Sequence, residues 1–134
     1  MQNEALIKRA ATLLKPHRTP DGRLHGDVAA VVVSASGHIY EGVCVDTASW
    51  GLCAERSAIA AMITAGEYRF ESIVAVWRNE ATEELHVLPP CGICREFMRQ
   101  VDHQNLDAQI VLGWERSVSL RTLLPEHEWP APLG

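Results

Sequence analysis

The spacing of hydrophobic residues predicts three substantial helices. Apolar side chains recur at three- and four-residue intervals in three segments: Asn3 to Lys15, Cys53 to Ala65 and Cys91 to His103. In the first segment, Asn3 is the expected N-cap and Pro16 the expected stop. In the third segment, the residues expected to face the core are Ile93, Phe97, Met98 and Val101. A last helical turn is expected from Leu120 to Leu124.

Strand-like segments lie between these helices. The first two segments are predicted to pair as a β-hairpin, with strands from Val28 to Ser34 and from His38 to Val45. Ser36 and Gly37 form the connection between them. Further extended segments are expected at Ser72 to Trp77, Leu85 to Leu88 and Gln109 to Gly113. His17 to Gly26 lacks apolar periodicity and contains the turn sequence Pro20-Asp21-Gly22, so we expect a loop there. The order of elements predicts a three-layer α/β domain with a mixed sheet.

Composition narrows the function classes. The chain has 134 residues, 47% hydrophobic and 22% charged, so one folded domain over residues 1–134 is expected. A formal net charge of -5 is unfavourable for binding long nucleic acid. The longest nearly apolar stretch, Val28 to Ala35, has eight residues, whereas a bilayer span needs about 20. Four cysteines without a visible secretory signal favour reduced thiols. We therefore expect a soluble cytoplasmic protein that does not enter membranes.

Cysteines open two of the predicted helices. Cys53-Ala54-Glu55 begins the second helix and Pro90-Cys91-Gly92-Ile93-Cys94 begins the third, with 37 residues between Cys53 and Cys91. The free N–H groups and the dipole at a helix start stabilise a thiolate, which is the form that binds zinc. A zinc site with only three protein ligands retains a position for water and can be catalytic. The pattern therefore favours such a site, with Glu55 as the general base for that water.

Arginines directly follow both motifs. Arg56 and Arg95 are expected to donate hydrogen bonds to the ligand sulfurs and to offset the negative charge of three thiolates. Two other interpretations of the cysteines remain open, namely a structural zinc site or buried thiols, and a redox pair formed by Cys91 and Cys94. The redox pair would leave Cys53 and Glu55 without a role.

The combined motifs resemble the zinc-dependent cytidine deaminase superfamily. The residues that carry this resemblance are Cys53-Ala54-Glu55-Arg56 and Pro90-Cys91-Gly92-Ile93-Cys94-Arg95. Cysteine rather than histidine in the first ligand position is similar to the small branch that acts on free nucleosides. Ser36 to Val43 and Leu123-Leu124-Pro125 also resemble family segments, so the resemblance covers nearly the whole chain. It implies a three-layer α/β/α fold with a central mixed sheet of about five strands.

The resemblance further implies a hydrolytic deaminase with Zn2+ as cofactor. Cys53, Cys91 and Cys94 would be metal ligands, and Glu55 would be the catalytic residue that moves protons while water replaces the 4-amino group of a cytosine-type ring. Ala54 would contribute backbone groups to substrate binding. The implied partner is a small amino-heterocycle. Small members of the family also imply a homotetramer whose active sites take residues from neighbouring copies.

Two positions depart from the nucleoside-deaminase pattern. The family's second hairpin strand ends in an asparagine, followed two residues later by a glutamate, and both bind sugar hydroxyls. Here these positions are Cys44 and Asp46, which cannot make the same contacts because a thiol is a weak donor and aspartate is shorter. Only eight residues separate Cys44 from Cys53, and this short loop, together with Trp129, resembles blasticidin-S deaminases. The implied substrate is a cytosine-type nucleoside or analogue that need not be plain cytidine.

Cys44 has three open interpretations: a buried thiol, a substrate contact, or a fourth ligand that closes the metal site. Closure would favour a second hypothesis, a non-catalytic zinc-binding or small-molecule-binding domain of the same fold. Trp50 and Trp129 are candidate substrate contacts because their rings can stack on a base. They are equally candidates for covering the core or a subunit contact.

Overall fold

Helices cover both faces of a central β-sheet. The computed structural model, which describes residues 1–134, contains four α-helices: α1 (Asn3–Thr12), α2 (Ala54–Thr64), α3 (Gly92–Val101) and α4 (Leu120–Leu123). A 3-10 helix spans His103–Asp107. There are eight strands: β1 (His17–Arg18), β2 (Leu24–His25), β3 (Val28–Ser34), β4 (Ile39–Val43), β5 (Phe70–Arg78), β6 (Leu85–Val87), β7 (Gln109–Gly113) and β8 (Arg116–Ser119). None of the helices has the length and apolar character that crossing a bilayer requires.

The central sheet has mixed pairing, as predicted. Its strand order is β4-β3-β5-β7-β8, and the short β6 also pairs with β5. β3 lies antiparallel to β4 and to β5, whereas β5 and β7 are parallel and are connected through α3. The prediction of a three-layer α/β/α fold is confirmed. The five strands of the main path match the predicted number, and β6 is a sixth, peripheral member.

The position of β3 in the middle of the fold explains why its sequence is apolar at nearly every position. Side chains of a strand alternate between its two faces, and both faces of β3 are covered by helices. The layer on the α1 side is formed by Leu6, Ile7, Ala10, Ala29, Val31, Val33, Val74, Val76 and Val111. The opposite layer includes Ala30 and Val32 of the same strand, together with Ile59 of α2 and Met98 of α3. α2 and α3 therefore pack on one face of the sheet, where their N-termini lie close together.

Gly42 allows α2 to lie directly against β4. A Cβ atom at this position would be only 2.4 Å from the backbone nitrogen of Ala58 and 2.7 Å from the carbonyl carbon of Ser57. Both atoms belong to the backbone of α2, so a side chain at position 42 would displace the helix. Gly42 therefore fixes the position of α2, whose first turn carries part of the candidate site.

The predicted loop before β3 is partly ordered as a small hairpin. β1 pairs with β2 in antiparallel register around the predicted Pro20-Asp21-Gly22 turn, and Gly22 has a φ of 91°. Each of these strands has two residues, too few to produce a periodic pattern in the sequence. β8 was also missed, because a strand reading Arg-Ser-Val-Ser at the edge of the sheet has little apolar character.

Two expectations about helices were wrong. The N-cap position of α1 is Gln2, while the side chain of Asn3 donates hydrogen bonds to Ser117 Oγ (3.0 Å) and to the carbonyl oxygen of Gly113 (3.4 Å). Ile93 does not face the core but is 66% exposed. The inward line of α3 runs through Cys94 and Met98, four residues apart, and Ile93 points about 100° away from Cys94 around the helix.

Glu67 joins the turn between β3 and β4 to the segment after α2. Its carboxylate accepts hydrogen bonds from Ser36 Oγ and Tyr40 Oη, and it lies 2.9 Å from His38 Nδ1. The hydrogen bonds from Ser36 and then Tyr40 are the main reasons why the pKa of Glu67 falls from 4.5 to about 2. The cluster therefore favours the ionised carboxylate in the folded protein.

We expect Glu67→Gln to reduce the acid sensitivity of folding. Because the folded-state pKa is about 2 and the ordinary value is 4.5, the ionised carboxylate stabilises the folded protein above pH 4.5. This contribution is lost as the pH falls toward 2. Urea unfolding at several pH values should show a shallower decline for the variant between pH 4.5 and 2. Glu71→Gln, at an exposed position of β5, should behave as the wild type. Equal slopes for Glu67→Gln and the wild type would contradict this role.

Candidate metal centre and adjoining cleft

Three cysteine sulfurs meet where α2 and α3 begin. Cys53 and Cys91 are the N-cap residues of these helices, and Cys94 lies in the first turn of α3. The Sγ atom of Cys91 is 3.7 Å from that of Cys53 and 3.5 Å from that of Cys94. All three sulfurs lie within 4.8 Å of one another, and none is in a disulfide. The structure thus brings together the three residues predicted to bind metal.

The spacing of these sulfurs fits a zinc ion. A tetrahedral zinc with Zn–S bonds of about 2.3 Å would separate two ligand sulfurs by about 3.8 Å. The observed separations of 3.5 and 3.7 Å are close to this value. Thiolates are soft ligands that suit zinc, and three of them leave one tetrahedral position for a further ligand.

The start of α3 distinguishes the two thiols it carries. Burial opposes ionisation of Cys91, but the backbone N–H of Cys94, the Cys94 thiol and the backbone N–H of Ile93 outweigh it, so the pKa of Cys91 is lowered. Burial and the negative charge of Glu55 raise the pKa of Cys94, which is fully buried. Of the two thiols of α3, Cys91 therefore ionises more readily than Cys94.

Arg56 contacts the sulfurs as predicted. Its Nη2 atom donates to Cys53 Sγ at 3.7 Å, while its Nε atom is buried and has no partner within the chain. Burial disfavours the charged form, but hydrogen bonds to Cys53 and Cys94 outweigh that effect, so the pKa of Arg56 is raised. The permanent positive charge of Arg56 offsets part of the charge that three thiolates would carry.

Arg95 does not contact the sulfurs, so the expectation for this residue was wrong. Its Nε atom donates to the carbonyl oxygen of Pro90 at 2.8 Å, and its Nη1 atom donates to that of Leu123 at 3.0 Å. The next residue of a helix points about 100° away from its predecessor. Since Cys94 faces the thiol cluster, Arg95 faces α4 instead.

Glu55 is buried directly beside the thiols. Its side chain is only 6% exposed and lines a cavity of about 10 Å³, whose other lining residues are apolar. Burial raises the pKa of its carboxyl group, although the charge of Arg56 acts in the opposite direction. A carboxyl group with raised proton affinity beside an open metal position can accept a proton and return it.

A cleft of about 540 Å³ adjoins this centre on the side of Cys53. Its lining residues are Leu24, Asp27, Cys44, Val45, Asp46, Gly51, Leu52, Cys53 and Arg56. Two reciprocal hydrogen bonds of 2.8 Å join Val45 to Leu52 and close the base of the loop between them. The cleft thus brings two predicted substrate contacts, Cys44 and Asp46, alongside the metal centre.

Cys44 and Asp46 already have partners within the chain. The thiol of Cys44 donates to Asp27 Oδ1 at 3.0 Å. The pKa of Cys44 is raised, mainly by burial and secondly by this hydrogen bond. Cys44 is not a member of the group of three sulfurs. Asp46 Oδ2 accepts a hydrogen bond from the backbone of Leu24 at 3.0 Å, and its other oxygen lies 3.9 Å from Arg23.

The remaining predicted contacts are divided between the site and the surface. Ala54 is fully buried between Cys53 and Glu55 at the start of α2. Trp50, in the loop before α2, is 94% exposed, and Trp129, in the C-terminal segment, is 95% exposed. Neither tryptophan lines the cleft of its own chain.

Asp27 is a lining residue that sequence reasoning missed. It lies just before β3 and accepts the hydrogen bond of Cys44 at the cleft wall. An isolated aspartate between a glycine and an apolar strand is ordinary loop chemistry, so no sequence pattern distinguished it. Only the pairing of the backbone near residues 26–28 with Cys44 brings it to the cleft.

Residues 1–108 match the family model described as the cytidine and deoxycytidylate deaminase zinc-binding region. A cytidine deaminase of Mycoplasma genitalium is 29% identical over 103 residues, which cover 75% of this chain and 74% of that protein. A blasticidin-S deaminase of Bacillus cereus is 32% identical over 76 residues, which cover 53% of this chain and 54% of that protein.

Solved structures show the same architecture. The cytidine deaminase of Burkholderia pseudomallei superposes with a TM-score of 0.73 at 28% identity, covering 94% of this chain and 98% of the other. The cytidine deaminase of Bacillus anthracis also gives a TM-score of 0.73, at 26% identity, covering 93% of this chain and 88% of the other.

We expect Cys94→Ser to lose most bound zinc and Cys44→Ser to retain it. Serine replaces a soft thiolate with a poor zinc ligand, whereas Cys44 contacts Asp27 rather than the thiol cluster. Metal analysis of the proteins purified under reducing conditions measures the zinc content per chain. If Cys44→Ser lost zinc as fully as Cys94→Ser, Cys44 would be a ligand.

Proposed function

This chain belongs to the cytidine and deoxycytidylate deaminase family, and on that premise we propose that it is a zinc-dependent hydrolase of a free cytosine-type nucleoside or analogue. In the proposed reaction, water adds at C4 of a 4-aminopyrimidine ring, the bond from C4 to the amino nitrogen breaks, and ammonia and the 4-oxo product leave. The observation that carries this proposal is the group of three thiols beside the buried carboxyl group of Glu55.

The three thiols supply the metal-binding part of the proposal. Cys53, Cys91 and Cys94 would hold zinc, and Arg56 would stabilise Cys53 as a thiolate through its contact of 3.7 Å. When bound, zinc supplies a Lewis acid that makes a water molecule nucleophilic near neutral pH. A reducing compartment such as the cytoplasm suits this site, because all its ligands must be reduced thiols.

Glu55 would move the protons of the reaction. Its carboxylate would accept a proton from the attacking water, deliver it to ring atom N3 and then assist protonation of the departing amino group. These steps need a group that is stable in both protonation states, which agrees with its raised pKa. Ala54 would present its backbone to the amide edge of the ring, next to Glu55.

The cleft supports a substrate whose ring substituent extends toward Cys44 and Asp46. A thiol and an aspartate would replace the family's usual asparagine and glutamate, so recognition of a ribose would differ. The similarity to a blasticidin-S deaminase supports including substrates other than plain cytidine. Trp50 and Trp129 would contact the substrate from a neighbouring copy, since both are exposed in their own chain.

The position of Cys44 also bears on the non-catalytic alternative. A closed, structural zinc site would need a fourth protein ligand. The contact between Cys44 and Asp27 supports a role in the cleft wall instead, which favours the enzyme over the closed site.

The proposed assembly is a homotetramer. The exposed Ile93 and the half-buried Phe97 and Val101, which also pack against the core, line a groove of about 670 Å³ along α3 together with Gly92, Glu96 and Gln100, and most of its surface is apolar. An uncovered apolar face of this kind is characteristic of an interface.

We expect the purified zinc-containing protein to release ammonia from at least one member of a panel of amino-heterocycles. The panel comprises cytidine, deoxycytidine, cytosine, blasticidin S and fused amino-heterocycles, each followed by the change in its ultraviolet absorbance. Glu55→Gln should retain zinc and fold but lose activity by several powers of ten, because the amide cannot carry the protons.

The matched control is Glu71→Gln, which makes the same chemical change at an exposed position of β5. It should keep wild-type rates. Comparable rates for Glu55→Gln and the wild type would remove Glu55 from the mechanism. Stoichiometric zinc without turnover of any panel member would count against the proposed reaction itself.

We expect Ile93→Glu to convert the proposed tetramer into smaller species, because it places a charge in the apolar groove of α3. Analytical ultracentrifugation measures the change in mass. Tyr68→Glu provides an equivalent apolar-to-charged change at another exposed site and should leave the mass unchanged. A stable, active wild-type monomer would contradict the proposed assembly.

A further inference from the structure

The guanidinium group of Arg95 donates hydrogen bonds to backbone carbonyl groups and not to the cysteine sulfurs. Nε donates to the carbonyl oxygen of Pro90 (2.8 Å) and Nη1 to that of Leu123 (3.0 Å). The backbone N–H of Arg95 also donates to the carbonyl oxygen of Cys91 at 3.0 Å. One residue therefore fixes two consecutive carbonyl groups, those of Pro90 and Cys91, at the start of α3.

The Pro90 carbonyl belongs to the peptide bond that enters Cys91. Fixing this peptide plane fixes the position from which the side chain of Cys91 extends. Cys91 needs such support because it is the exposed member of the three thiols, whereas Cys94 is buried in the core. Pro90 is itself buried and lines the small cavity beside Glu55, so the same contact adjoins both the thiols and the carboxyl group.

The Leu123 carbonyl lies at the end of α4. The last carbonyl groups of a helix lack partners within the helix, and a cation there is also favoured by the helix dipole. α4 has only four residues, so a tertiary contact contributes much to its placement. Through Arg95, the end of α4 and the C-terminal segment that follows it are attached to the loop that carries Cys91.

We propose that Arg95 is a positioning residue of the metal centre, which holds Cys91 at binding distance from Cys53 and Cys94 by fixing the Pro90 carbonyl against α4. The planar guanidinium reaches the two carbonyl groups from separate nitrogen atoms, Nε and Nη1, whereas the ammonium group of lysine would have to reach both from one atom. This inference rests on the metal-binding part of the proposed function and does not depend on the substrate.

The test compares Arg95→Met and Arg95→Lys with the wild type. Methionine keeps an unbranched apolar stem but removes every donor, whereas lysine keeps the charge and one donor group. Zinc affinity, measured by competition with a chromogenic chelator, should fall about 10- to 100-fold for Arg95→Met. Arg95→Lys should give an intermediate loss. Arg99→Met, one turn further along α3 where Arg99 contacts Glu96, should keep wild-type affinity.

Two further measurements separate positioning from general stabilisation. Zinc should raise the midpoint of thermal unfolding less in Arg95→Met than in the wild type, and the absorption bands of the cobalt-substituted variant should shift. Equal zinc affinity in Arg95→Met and the wild type would overturn the proposal. An equal loss of thermal stability with and without zinc would also overturn it. If Arg95→Met does not fold, Arg95→Lys carries the same comparisons.

These outcomes are distinct from failure of the proposed reaction. A wild-type protein that binds zinc but deaminates nothing would contradict the enzyme assignment and leave the affinity comparison intact. A wild-type protein without measurable zinc affinity would overturn both.

Discussion

The structure depends on holding three sulfur atoms within a few ångströms of one another while each is able to carry negative charge. Coulomb repulsion opposes that arrangement, and it is strongest where water is excluded, as around Cys94. At the start of α3 the backbone N–H groups of Ile93 and Cys94 reduce this cost at Cys91, and Arg56 adds a full positive charge beside Cys53. The central sheet makes this possible, because α2 and α3 lie on the same face of it. The close approach of β4 to α2 at Gly42 then fixes the position of α2.

Much of this arrangement could be predicted from the sequence. The strongly apolar β3 and the helical spacing in α2 and α3 follow from burial on one or two faces, so their periodicity was visible. The group of three thiols was equally accessible, since these cysteines lie at helix starts, one of which the sequence also marks with a proline. β1, β2 and β8 were not visible because their pairing depends on neighbouring strands rather than on apolar residues of their own. Asn3 was misassigned because its side chain bonds to Ser117, which is distant in sequence. Ile93 was misassigned because its side chain is exposed, which its apolar character does not indicate.

The cleft was harder to predict than the metal centre. Arg95 and Asp27 illustrate the difficulty, since the sequence gives the residue type but not the direction in which its side chain extends. Arg95 follows Cys94, yet it contacts the carbonyl groups of Pro90 and Leu123. Asp27 is distant from Cys44 in sequence, and only the backbone pairing near β3 brings them together. Helical periodicity and the cysteine motifs therefore located the thiols and Glu55, while tertiary contacts determined what surrounds them.

The two hydrogen bonds between Val45 and Leu52 close a loop at its base, so the loop can change while the strand before it and the helix after it keep their positions. The six residues from 46 to 51 form a loop whose two ends are paired with each other. Insertions, deletions or exchanges in this loop therefore need not move β4 or Cys53, the N-cap residue of α2. Changes in this loop would alter the cleft wall, which includes Asp46 and Gly51, without moving the helix that carries Glu55. Exchange of residues 46 to 51 is therefore a practical route to reshaping this cleft while the three thiols stay in place.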